Sequence, residues 1–150
     1  MEKEQTLVLI KPDAMIKQLA GNIINDLYKL DLKMIGLKLV NVQKELAEKH
    51  YDSHKGKPFF DNLIKYITGE FHGNENVIAI AYEGENAIEK IRAFVGKTNQ
   101  DEAHPTSLRG RYGKVHSKTN EFENVIHASD SAINGEKEIK LWFDDKELIK

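Results

Sequence analysis

The apolar pattern of this chain predicts an α+β sandwich, an antiparallel sheet with helices packed on it. Three observations carry that expectation. Residues 6–10 and 77–82 are short, almost continuous apolar runs with the length of buried strands. Other apolar residues recur at helical spacing, as in Ile23, Ile24, Leu27 and Leu30. The two kinds of segment succeed one another to the end of the chain. Its 150 residues suit one domain, 1–150, with a core of its own.

The strand at 6–10 runs into Pro12, which cannot donate to a ladder, so it should end with Lys11 at its tip. A lysine there is placed to reach into a cleft. Residues 21–30 read as an amphipathic helix broken by Asp31, and 32–42 as a long strand in which Gly36 shifts the alternation, the sign of a bulge. Residues 44–54 read as a helix. Pro58 suits the first turn of the next one, whose core stripe is Phe60, Leu63, Ile64 and Ile67. Phe59 falls at the edge of that stripe, where an aromatic serves either as peripheral packing or as a platform for a flat ligand.

Residues 68–76 contain two glycines and read as a loop; 77–82 then form a central strand. A helix follows at 86–95, with Ile88, Ile91 and Val95 facing inward and Arg92 beside that face. Residues 96–123 have no sustained periodicity and are rich in base: Lys97, Arg109, Arg111, Lys114 and Lys118. Long loops in compact domains are commonly functional, and guanidinium forks match phosphate oxygens. Val125 and Ile126 then carry His127 to the end of a short buried strand. Ser129, Asp130 and Ser131 are good starters for the closing helix at 132–143, whose Glu138 is expected to face back toward His127. The order β-α-β, helices, β-α-β fits a split βαβ sandwich of the ferredoxin-like type, βαββαβ.

Composition narrows the function. With 22 Lys+Arg against 24 Asp+Glu, the net charge of −2 predicts no broad affinity for nucleic acid. The absence of cysteine excludes disulfides and thiolate metal sites. The first five residues are charged and unlike a signal peptide, and no apolar run approaches the ~20 residues that span a bilayer. A cytoplasmic protein without a membrane partner is expected. Chemistry is offered by His127: free imidazole titrates near ~6.5, so its neutral, nucleophilic form is available at neutral pH. No Gly-x-x-x-x-Gly-Lys-Ser/Thr phosphate loop is present, which argues against a Walker-type kinase.

Taken together, Lys11-Pro12-Asp13, the basic loop and Asn124-x-x-His127-Ala128-Ser129-Asp130 closely resemble the nucleoside diphosphate kinases. Tyr51, Pro58-Phe59-Phe60, Gly96-x-Thr98-Asn99 and Arg109-Gly110 also match, and the resemblance runs from residue 6 to residue 143. It implies transfer of the γ-phosphate of a nucleoside triphosphate, ATP as donor, to a nucleoside diphosphate in a ping-pong reaction through a phosphohistidine. By the same resemblance His127 is the nucleophile, at Nδ1, with Glu138 and Ser129 orienting its ring. Lys11, Tyr51, Arg92, Thr98, Arg109 and Asn124 match positions that hold phosphates or ribose, and Phe59 would stack on the base beside Leu63. Mg²⁺ is implied as a cofactor held by nucleotide phosphates and water rather than by the protein. A homo-oligomer, hexamer or tetramer, is implied as well.

The chain also departs from the family. Where Pro-Gly-Thr-Ile-Arg-Gly-Asp is usual it has Pro105-Thr106-Ser107-Leu108-Arg109-Gly110-Arg111, and Ala14 stands where glycine commonly follows Lys-Pro-Asp. Extra residues are expected around 70–75 and between Arg111 and Asn124. The alternatives to an enzyme are a catalytically impaired nucleotide-binding or regulatory protein on the same fold, and a pure interaction domain. The first has no use for a nucleophilic histidine; the second predicts no response to nucleotide.

Overall fold

The computed structural model describes residues 3–115 and 122–150. Its main sheet has four strands: β1 (Lys3–Ile10), β2 (Lys33–Asn41), β3 (Asn76–Glu85) and β6 (Ile126–Ala128), in the order β2-β3-β1-β6. Every pairing is antiparallel, with β3 and β1 central and β2 and β6 at the edges. This is the split βαβ arrangement. The bulge expected at Gly36 is present, as a register shift between Met34 and Gly36.

Helices cover both faces. Leu7 and Leu9 of β1 point to a core shared with α3 (Lys44–His50), α4 (Phe60–Ile67) and α7 (Ala132–Trp142). Val8 and Ile10 point to a second core with α2 (Ala20–Leu27), α5 (Ala87–Val95) and α6 (Leu108–Tyr112). The alternation places Leu9 and its cross-strand partner His127 on the face that α3 and α7 cover. Among the described residues no helix is long and apolar enough to cross a membrane.

Several boundaries differ from the sequence expectation. Pro12 ends β1 but also opens a short helix, α1 (Pro12–Ile16), because its fixed φ suits a first helical turn. The helices expected to run to Leu30 and His54 end sooner; Tyr28–Leu30 and Asp52–His54 are 3-10 turns. Asp31 closes the first of these in the left-handed region at φ 54. Pro58 lies in the turn ahead of α4 rather than inside it, and Phe59 is the residue that caps the helix start. The described parts of the basic stretch, 96–115 and 122–123, hold more regular structure than the lack of period suggested. They contain a 3-10 turn at Gln100–Glu102, helix α6, and a hairpin of β4 (Lys114–Val115) and β5 (Phe122–Glu123). Lys118 lies outside the described residues.

Candidate active site

The strand β6 is only three residues long, and the chain before it is held by unusual means. Val125 stands at φ 60, a conformation that costs a β-branched residue on the order of 1–3 kcal/mol. Its N–H donates to Asp13 Oδ2 at 3.2 Å, and its carbonyl accepts from the Lys11 N–H at 2.9 Å. Asp13 is fully buried and also accepts from the Tyr66 hydroxyl at 2.6 Å. The strained bend therefore has fixed partners on both sides. It lets Asn124 and His127 reach the same cleft from either side of a buried Val125.

In that cleft His127 Nε2 faces Glu138, at 3.0 Å from Oε1 and 3.2 Å from Oε2. Ser129 Oγ donates to the same Oε1 at 2.7 Å and itself accepts from the Leu7 N–H at 2.9 Å. The carboxylate, fixed by serine, thus takes one ring nitrogen and leaves Nδ1 as the nitrogen it does not engage. Ser131 starts α7 by accepting from the Asn134 N–H at 3.1 Å, which brings Glu138 round to His127.

A cationic wall faces this pair. Lys11 Nζ donates to Asn124 Oδ1 at 2.8 Å and lies 5.0 Å above the Tyr66 ring. Asn124 in turn donates to the Thr98 carbonyl at 3.1 Å. Arg109 reaches in from α6, donating to the carbonyls of Gly96 at 3.1 Å and Ile126 at 2.8 Å. Burial, then the charge of Arg109, bring Lys11 down to about 7, with Asp13 opposing. Burial, then Arg92, bring Arg109 down to about 10. Burial pushes the Tyr51 phenol up, so it remains a neutral hydroxyl in the cleft. Crowded, partly desolvated cations of this kind are what an incoming polyanion relieves.

The cleft measures about 1020 Å³, ample for a nucleotide. Lys11, Tyr51, Phe59, Leu63, Arg92, Thr98, Arg109, Asn124, His127 and Glu138 all line it, and Ser129 supports it from behind. Phe59 is 39% exposed in the cleft wall, with His54 at its edge and Lys57 Nζ 5.8 Å from its ring centre. The second arginine beside glycine in the basic loop, Arg111, does not line the cleft. Arg111 pairs with Asp26 Oδ2 of α2 at 3.0 Å, and Lys114 pairs with Glu123 at 3.5 Å. His50 and His54 line the cleft without having been singled out. His50 and His54 sit i,i+4 after the Lys44 helix start, a spacing that could have pointed to a shared face.

The side chains that converge in this cleft are a poor match for Mg²⁺. The nearest ligating cluster among the described residues, His50, His127 and Glu138, is nitrogen-rich and already hydrogen-bonded, whereas Mg²⁺ takes oxygen donors.

A sequence model of the nucleoside diphosphate kinases matches residues 4–148. The chain belongs to the nucleoside diphosphate kinase family. It is therefore a nucleotide-binding phosphotransferase by kinship. A nucleoside diphosphate kinase from Staphylococcus epidermidis is 45% identical over 145 residues, covering 97% of this chain and 91% of the relative. The halophilic enzyme from Halobacterium salinarum, solved with CDP, superposes with a TM-score of 0.88 at 38% identity, covering 99% and 93% of the two chains. The enzyme from Borrelia burgdorferi, solved as a transition-state mimic with vanadate and ADP, gives 0.86 at 31% identity, over 99% and 91%.

Proposed function

We propose that the chain, as a single domain over 1–150, moves the γ-phosphate of ATP or another nucleoside triphosphate to a nucleoside diphosphate by way of phospho-His127. The observation that carries this reading is the Ser129–Glu138–His127 chain of hydrogen bonds facing Lys11, Arg92 and Arg109. In the first half-reaction His127 Nδ1 attacks the γ-phosphorus in line. The bond from that phosphorus to the β-γ bridging oxygen breaks, and the diphosphate leaves. Glu138 accepts the Nε2–H and offsets the charge that the ring acquires. In the second half, the acceptor's terminal β-phosphate oxygen attacks the phosphohistidine and regenerates the free ring. A covalent intermediate lets donor and acceptor use one cleft in turn.

Lys11, Arg92 and Arg109 would neutralise charge spread over the transferring oxygens, and Mg²⁺ carried on the nucleotide supplies the remaining positive charge. Asn124 orients Lys11, while Tyr51 and Thr98 would hold phosphate or ribose. Phe59, with Leu63 beside it, would stack on the base through its π face. Stacking is indifferent to base identity, which fits broad acceptance of nucleotides. The CDP and ADP complexes of the two relatives support nucleotides as partners. The exposed leucines on edge strand β2 support a homo-oligomer, hexamer or tetramer, and a cytoplasmic location belongs to the same reading.

The test is transfer from ATP to a pyrimidine nucleoside diphosphate, run beside intact-mass detection of the phosphoenzyme. Both should appear in the native protein. His127→Gln should lose turnover and phosphoenzyme while still binding nucleotide. Turnover retained in that variant would mean the nucleophile lies elsewhere. Nucleotide binding without phosphoenzyme in the native protein would leave a regulatory binding protein.

A further inference from the structure

His50 ends α3 with its ring in the cleft wall, and the transfer described above gives it no part. Its ring stands edge-on to His127, with centroids 4.5 Å apart and planes at 79°. On another side the Trp142 Nε1–H donates to His50 Nδ1 at 3.1 Å, with the two rings 5.5 Å apart at 87°. Indole can only donate. That bond therefore fixes the imidazole with Nδ1 as acceptor and the proton on Nε2. Tyr51, edge-on at 4.7 Å, closes a third side. A ring nitrogen of His50, one of His127 and an oxygen of Glu138 lie within 4.8 Å of one another.

The titratable groups around His50 are His127 on β6, Lys11 beyond β1, His54 in the turn after α3 and Glu138 on α7. Burial first, then His127, Lys11 and His54, hold its imidazole well below the ordinary range, so it stays neutral across the physiological span. A cationic ring here would oppose the charge that His127 acquires when phosphorylated. A neutral one does not. Glu138 and Ser129 fix only one nitrogen of His127, and a single hydrogen-bonded edge leaves a ring free to swing about it. His50 supplies the missing wall.

The geometry points to His50 as a positioning residue for phosphoryl transfer: held by Trp142, it keeps the His127 ring where Glu138 takes Nε2 and the nucleotide meets Nδ1. This rests on the phosphohistidine reading, and the test separates the two. Two variants are compared with the native protein, His50→Asn, whose side-chain oxygen can still accept from the indole, and Trp142→Phe, which removes the donor. Nucleotide dissociation constants, the rate of phosphoenzyme formation at saturating ATP, and the imidazole ¹⁵N shifts are measured for each.

The expected result is a phosphorylation rate down about 10- to 100-fold in His50→Asn, the scale that misplacement of a reacting group produces. Nucleotide affinity should stay within about 3-fold, since His50 is given no binding role. Trp142→Phe should lower the same rate about 10-fold and turn the single His50 tautomer into a mixture. Native-like phosphorylation in His50→Asn, or equal losses in affinity and rate in both variants, would overturn the proposal. Absence of phosphoenzyme from the native protein would instead overturn the phosphohistidine reading on which it stands.

Discussion

Lys11 is where folding and ligand binding pull hardest against each other. In the folded protein it titrates at about 7, against 10.5 for an ordinary lysine. Between those values the unfolded chain holds a proton that the native state has released, so stability should rise with pH through that window. Below about 7 both states are protonated and the cost of burying the charge is fully present. Phosphate beside Nζ restores the charge, so nucleotide binding at pH 8 should take up protons. Calorimetry in two buffers of different ionisation heat measures that uptake; identical heats would contradict it. Lys11→Met should abolish the difference. Lys11, His127 and Glu138 were readable from sequence because each lies in, or one helix away from, a local motif. The roles of Tyr66 and of Asp13, although Asp13 stands in the Lys11-Pro12-Asp13 motif, were not, because they act through partners 53 and 112 residues distant. The tautomer of His50 depends likewise on an indole 92 residues away.

At the scale of elements, α7 is the part whose placement matters most, since it carries Glu138 and Trp142 and lies along β1. Gly135 makes the approach possible: a Cβ there would overlap the backbone carbonyl oxygen of Gln5. Gly135→Ala should destabilise the protein by about 1–3 kcal/mol and shift Glu138 away from His127. A fall in both melting temperature and turnover is the expected outcome. A fall in stability alone would mean that α7 tolerates the shift without moving its carboxylate. Phe59→Ala acts at the start of α4 and should weaken binding of all nucleotides alike; a strong bias among bases would exclude simple stacking. The longer helices and central strands were legible because about two or more helical turns, or five or six consecutive apolar residues, make a pattern. α1 and α6, at five residues each, and β4 and β5, at two each, are too short to do so.

For the whole molecule, the sheet has an unprotected side. Leu37 and Leu39 on edge strand β2 are 53% and 63% exposed, a surface that proteins ordinarily cover. Sedimentation should find an assembly larger than one chain, and Leu39→Lys should shift it toward smaller species. The segments expected to be extra, near 70–75 and 112–123, meet each other: His72 Nε2 lies 2.7 Å from Glu123 Oε1, and the His72 ring lies 5.6 Å from Tyr66. Burial raises the Glu123 carboxyl, but the bond to His72 and the charges of His72 and Lys114 outweigh it and hold it below the usual range. No sequence pattern announces that contact, because it joins two irregular segments 51 residues apart. The short strand β6 has a consequence for the order of events in the cell. Among the described residues its neighbour in the sheet is β1, and the lysine that follows β1 meets an asparagine 113 residues later. During synthesis on a ribosome β1 emerges well before α7, so under the proposed mechanism the pairing of His127 with Glu138 cannot form until α7 has left the exit tunnel. On that reading, fragments released before α7 is made should be catalytically silent, whatever nucleotide surrounds them.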